Sequence, residues 1–273
     1  MAHQSKPIRP TTTTILLLSL LSSLSLAQTT TPFTDQETGI QFQRFFGART
    51  NFGFGIALPQ DSSTSASFIG QLTFPLVNGA GWGGWSLTGD MEGPLLMAAW
   101  SDGNGNVVSS FRQAFDEDNN PPEVTGSFSL RPIAQATSVN ATFLTYTFLC
   151  EGCLGAGLGL NAAAATAEMG WALAGRAVRN PGSPAGVLDF HDKGFGDFQA
   201  NLDAARSARF DEWAALAGTA VKPAAGARQF DLAAGEEGGD SGDEDSGDEA
   251  GGGGRGGFDD DGGDGGDDSD DDD

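Results

Sequence analysis

Every second residue from Phe52 to Leu58 is large and apolar, with Gly53, Gly55 and Ala57 between them. A helix of 3.6 residues per turn would scatter that set around its surface, whereas a strand places it on one face, so the segment is committed to β structure. Leu144, Tyr146 and Phe148 alternate in the same way with Thr145, Thr147 and Leu149, and residues 67–74 and 95–100 are also strand-like. Turn signals such as Asp102-Gly103-Asn104-Gly105 and Asn119-Asn120-Pro121-Pro122 separate these runs. Many short strands joined by Gly-rich turns predict an all-β sandwich. One short helix is expected after the strands, where Leu202, Ala205, Phe210, Trp213 and Ala217 recur at roughly helical spacing without an intervening Pro. An Ala-rich stretch at 161–168 reads equally as a short helix or a loop, and no internal repeat is evident.

The two ends differ in kind from this middle. Lys6 and Arg9 precede the apolar run Ile15–Leu21, and Ser25-Leu26-Ala27 presents small residues where a signal peptidase cuts, so residues 1–27 read as a secretory signal peptide. The run is too short to span a bilayer core, which takes roughly 20 apolar residues. Residues 231–273 hold nineteen Asp or Glu against Arg255 alone, which accounts for 18 of the chain's 23 net negative charges. Such a composition cannot bury enough apolar surface to offset backbone ordering entropy, so a disordered Gly/Asp-rich acidic tail is expected over 219–273 and one folded domain over 28–218. The charge argues against nucleic acid, and a terminus of carboxylates offers neither a lipid-anchor signal nor a membrane helix. The mature protein is therefore expected to be soluble, secreted and extracellular.

Candidate motifs divide on their context. Gly79-Ala80-Gly81-Trp82-Gly83-Gly84 matches a dinucleotide fingerprint in spacing only, because Trp85–Gly89 reads as another strand or a turn where a helix is needed to face the pyrophosphate. Cys150-Glu151-Gly152-Cys153 admits a redox pair, half a zinc site or a structural disulfide; secretion favours the disulfide, and covalent haem attachment would need His where Leu154 stands. Asn140-Ala141-Thr142 is a glycosylation sequon at the start of a strand. Once residues 1–27 are removed, His191 is the only His, which excludes a multi-histidine copper or zinc centre, and Met91, Met97 and Met169 are the remaining candidates for a soft ligand or for core filling. No Gly-x-Ser-x-Gly elbow supports hydrolysis, and the acidic run Asp116–Asp118 reads as a solvated turn.

Taken in order over residues 32–215, several segments resemble the haem b cytochrome domain of fungal cellobiose dehydrogenases and related single-domain secreted cytochromes, an iron reductase-like domain. They include Phe54-Gly55-Ile56-Ala57-Leu58-Pro59, then Gly81-Trp82-Gly83-Gly84-Trp85-Ser86-Leu87 with Gly89-Asp90-Met91. Val107-Val108-Ser109-Ser110-Phe111-Arg112, Thr145–Cys153, Gly170-Trp171-Ala172 and Leu188-Asp189-Phe190-His191-Asp192 follow. The resemblance implies an immunoglobulin-like antiparallel β-sandwich holding a non-covalent haem b, with Met91 and His191 as axial ligands of the iron. It also implies single-electron transfer from a flavin dehydrogenase to a copper-dependent lytic polysaccharide monooxygenase, in the oxidative degradation of lignocellulose. No dehydrogenase sequence follows residue 217, so the electron donor is expected on another chain and no catalytic residue is expected on this one. Two other functions stay open: reduction of extracellular ferric complexes by the same haem, and a haem-free β-sandwich that binds carbohydrate or a surface partner. The resemblance assigns no contacts to the haem propionates; Arg206 and Arg209 are merely near in sequence.

Overall fold

The computed structural model describes residues 28–61, 65–116, 118–155 and 157–232; the expected signal peptide and the acidic run from 233 onward lie outside the described residues. The chain opens with an antiparallel meander of β1 (Thr31–Thr34), β2 (Gln41–Gly47), β3 (Phe52–Pro59) and β4 (Phe68–Pro75). It crosses to a second sheet for β5 (Trp82–Ser86), β6 (Leu96–Ser101) and β7 (Val107–Arg112). The short β8 (Val124–Thr125), β9 (Ser129–Pro132) and β10 (Ser138–Val139) follow, and β9 and β10 flank β11 (Phe143–Glu151), which pairs with β4. Next, β12 (Thr166–Ala174) and β13 (Gly194–Asn201) complete the second sheet in the order β13-β12-β5-β6-β7. Finally β14 (Arg206–Ser207) runs parallel to β3, the helix α1 (Phe210–Ala214) follows, and β15 (Arg228–Gln229) runs parallel to β8.

The alternation at 52–58 has the expected outcome: Phe52, Phe54, Ile56 and Leu58 enter the core between the two sheets, while Ala57 faces outward into a separate cluster. Opposing residues of the second sheet arrive with the same period, among them Trp85, Met97, Met169 and Phe198. Trp85 stacks on Phe148 with centroids 6.3 Å apart, and Phe45 on Phe198 at 4.6 Å. Burying each such side chain contributes about 1.5–3 kcal/mol. A Cβ at Gly83 would strike the Phe74 ring, so this glycine lets the two sheets close on each other. Tyr146, fully buried, accepts a hydrogen bond from the Ser109 hydroxyl at 2.9 Å, and burial pushes its phenol well above the ordinary range.

The first sheet's outer face is covered by α1 and the turn before β10: Phe210, Trp213 and Ile133 pack on Phe42, Ile69 and Leu149. One short helix is expected here, and α1 is the one α-helix among the described residues, but the helical period from Leu202 overstates its length. Leu202 and Ala205 instead face the inter-sheet core, and the Ala205 carbonyl accepts the Leu58 amide at 2.8 Å. The Ala-rich stretch is turn, then β12 from Thr166. Cys150 and Cys153 form a disulfide, both buried. Residues 219–232, which composition places in the tail, pack along the domain instead. The Val221 amide donates to the Leu130 carbonyl and that of Phe230 to Thr125, each at 2.8 Å, and both apolar side chains rest on the core. Val221 and Phe230 are the apolar anchors of this segment. Among the described residues, no helix is long and apolar enough to cross a membrane.

Candidate functional site

The outer face of the second sheet is built from the alternate residues of strands whose other face is core. In register across it run Phe195, Ala172, Gly84, Ala98 and Ser110, and beside them Asp197, Gly170, Ser86, Leu96 and Arg112. Between their ends the rows are glycine, alanine and serine except for Leu96, so the sheet presents a flat floor where large side chains would fill the space. Above that floor lies a cleft of about 1080 Å³. Its size is at the upper end of the roughly 300–1,000 Å³ typical of cofactor and ligand sites. Both Met91 and His191 line it, 100 residues apart in the chain.

His191 ends a segment, 175–191, that lies over the rest of this face and is fastened by side chains of the sheet and of one loop. The Trp100 indole N–H donates to the Pro181 carbonyl at 2.8 Å and that of Trp82 to the Asp189 carbonyl at 2.9 Å. The Asn120 side-chain oxygen accepts the Leu188 amide at 2.7 Å. Beyond His191, the Asp192 carboxylate takes the Gly175 amide at 2.8 Å and returns the chain to β13. The His191 ring lies between Phe190 and Phe195, 4.4 and 4.5 Å away, and both of these phenyl rings are 64% exposed.

Met91 sits half-buried on the loop between β5 and β6. Gly93, two residues on, is held from both sides: its amide donates to the Ala114 carbonyl at 3.1 Å, and its carbonyl accepts from the buried Gln113 amide at 2.9 Å. Gln113 also donates to the Asp231 carbonyl at 2.7 Å, so the 219–232 segment helps hold the Met91 loop. Met97 and Met169 are buried in the inter-sheet core.

Sequence reasoning missed the supports. Arg112 is 1% exposed, lines the cleft and donates to four acceptors, and burial pushes its pKa down to about 10. An arginine ending an alternating strand carries no mark of that role. Arg206 and Arg209 pair with Asp203 and Glu212 and do not line the cleft, whereas Arg179 does. The Gly79–Gly84 motif leads directly into β5, as its rejection as a nucleotide fingerprint required. Asn140 is exposed, and its side-chain Oδ1 accepts the Thr142 amide and hydroxyl at 2.8 and 2.9 Å.

A two-sheet β-sandwich with a cofactor-sized cleft on one outer face is the class these features define. Residues 33–212 match the family described as the cytochrome domain of cellobiose dehydrogenase, and the chain belongs to that family. The cytochrome domain of Myriococcum thermophilum cellobiose dehydrogenase has the same fold, with a TM-score of 0.63 and 31% identity, covering 71% of this chain and 99% of that one. The cytochrome b domain of pyranose dehydrogenase from Coprinopsis cinerea, at 24% identity and a TM-score of 0.60, covers 72% of this chain and 100% of that one. In sequence, the chain is 28% identical over 159 residues to a pyrroloquinoline quinone-dependent pyranose dehydrogenase of Coprinopsis cinerea; this is 57% of the chain but only 21% of that relative's length.

A cytochrome family implies a haem, and the residues present fit one. The floor of Gly84, Ala98, Gly170 and Ala172 suits a planar macrocycle, Trp82 and Leu188 give apolar walls, and Arg179 offers a cation to carboxylates. The donor set, one thioether and one imidazole, is a recognised axial pair for haem iron.

Proposed function

We propose that this chain is a secreted haem b electron-transfer cytochrome, holding the haem non-covalently in the cleft with Met91 and His191 as its axial ligands. The observation that carries the proposal is that the mature chain's only His and its one methionine outside the inter-sheet core line the same cleft over a flat small-residue floor. Bound there, haem b supplies a reversible one-electron couple. Met91 and His191 would both ligate the iron, which would leave no open site for oxygen or substrate, and the thioether would raise the reduction potential. The protein's part is to fix the two donors and keep water from the macrocycle. Trp82 and Asn120 hold the His191 segment, Gln113 holds the Met91 loop, and Arg179 is the candidate partner for the haem carboxylates.

Single electrons arrive from a separate flavin dehydrogenase and leave for a lytic polysaccharide monooxygenase or a similar acceptor. The exposed Phe190 and Phe195 flank His191 where such a partner would approach. The signal-peptide pattern at 1–27 supports an extracellular setting, and exposed Asn140 supports N-glycosylation. The test is a haem titration of the purified protein followed by reoxidation of the reduced form. One haem per chain and rapid oxidation by a copper monooxygenase are expected. Oxidation by ferric complexes alone would make it a ferric reductase, and failure to take up haem, with affinity for glycans, would make it a binding module.

A further inference from the structure

We propose that Arg112 is a positioning residue with two roles at this cleft: it ties the His191 segment to the sheet, and its buried charge raises the reduction potential of the group bound there. The second role rests on the haem reading above; the first does not.

Arg112 is the last residue of β7 and ends the floor row Asp197, Gly170, Ser86, Leu96. Its guanidinium faces a stretch whose internal hydrogen bonds, Arg179 with Val187 and the turns at Ser183 and Gly186, do not use the Pro184 and Gly186 carbonyls. Pro181 and Pro184 lack an N–H, and the tight turns at 183–186 aim carbonyls inward. Nη2 donates to the Pro184 and Gly186 carbonyls, both at 2.7 Å; Nη1 donates to the Pro121 carbonyl at 2.9 Å and Nε to the Ser110 hydroxyl at 2.7 Å. One side chain thus joins β7, residues 118–123 and the 175–191 segment, which are three walls of the cleft. Only the planar, five-donor fork of arginine reaches that many fixed acceptors; an ammonium on a flexible stem does not.

The charge is not cancelled on the spot. Its partners are neutral carbonyls and a hydroxyl, and among the described residues no ion pair involves Arg112. The field of Glu123 offsets it in part. The guanidinium, although shifted to about 10, stays protonated at neutral pH. A fixed positive charge in low dielectric beside the cleft favours the state that has gained an electron. Neutral groups such as the Trp82 indole and the Asn120 side-chain amide can tie the segment down but cannot bias the couple in this way.

The test compares the full-length wild type with Arg112→Lys and Arg112→Met. In the haem-free protein, hydrogen exchange at Gly186, Val187 and Leu188 should quicken at least tenfold in both variants, because both lose the fork. In the haem-loaded protein at a fixed mediator potential, the Met variant should lower the ferrous-to-ferric ratio at least tenfold, which is about 59 mV for one electron. The Lys variant, which retains the charge, should stay within about twofold, under roughly 20 mV. Unchanged exchange would overturn the tie, and equal ratios in the two variants would overturn the charge role. If the Met variant does not fold, the Lys variant decides alone, a tenfold drop in its ratio overturning the charge role. Failure of both to fold would make Arg112 a support of the fold itself and overturn the proposal. Absence of haem uptake by the wild type would instead count against the haem reading, leaving the exchange result to judge the tie.

Discussion

Each sheet of the sandwich has a face turned away from the common core, and the two outer faces meet different fates. On the first sheet, Phe42, Ile69 and Leu149 meet Phe210 and Trp213, and the space is filled. On the second, the corresponding positions are Gly84, Ala98, Gly170 and Ala172, and the covering segment 175–191 stops short, leaving a cleft. Both faces come from the same period-two alternation, so residue size separates a face that is filled from one that keeps an open cleft. The polar supports follow the same division: the side chains of Trp82, Trp100, Arg112, Asn120 and Asp192 hold backbone of the covering segment on the open face, where α1 needs chiefly apolar contact.

Several substitutions would break or sharpen that contrast. Trp213→Ala on the sealed face should cost about 3–5 kcal/mol, read as a lowered denaturant midpoint, while the folded fraction still takes up haem normally. Ending the chain after Gly218 should cost about 2–4 kcal/mol, because Val221 and Phe230 leave the core, and should weaken haem binding through the Met91 loop. Ending it after Gly235 should leave both within about 0.5 kcal/mol of the full chain. On the open face the effects reverse. Ala172→Phe should lower haem affinity more than tenfold yet move the haem-free protein's stability by no more than about 1 kcal/mol, and a large stability loss with intact haem uptake would erase the distinction between the faces.

The smallest effect belongs to Glu123, whose carboxyl burial raises above its ordinary range, although the Ala224 amide and Arg112 pull it down. The native state therefore binds this proton more tightly than the unfolded chain does, so stability contributed by the group falls as pH rises from the ordinary carboxylate range through the raised value. Replacing Glu123 by Gln should remove that slope, at most one proton in size, from a profile of unfolding free energy against pH.

The strands were legible in the sequence because their period is two and their turns are rich in Gly, Asn and Pro. The cleft was not, because a floor is an absence of side chains: Gly84, Ala98, Gly170 and Ala172 are unremarkable one by one and become a surface only when register aligns them. Met91 and His191 are proposed as ligands through resemblance in order along the chain, and nothing in their own sequence neighbourhoods singles them out; the structure shows that both line one cleft. The helix was overestimated because Leu202 and Ala205 lie at helical spacing from Phe210 yet belong to the inter-sheet core. The domain end was misplaced because two anchors, Val221 and Phe230, are sparse among Ala and Gly. The role of Arg112 depends on carbonyls 72 and 74 residues away.

The most direct measurement is the absorption spectrum of the haem-supplied protein, oxidised and then reduced, for the wild type beside Met91→Ala and His191→Ala. The wild type should show the sharp α band of a low-spin haem on reduction, and each variant should lose or alter it. A wild type that stays free of haem, or variants whose reduced spectra match the wild type, would contradict the assignment of this pair as ligands.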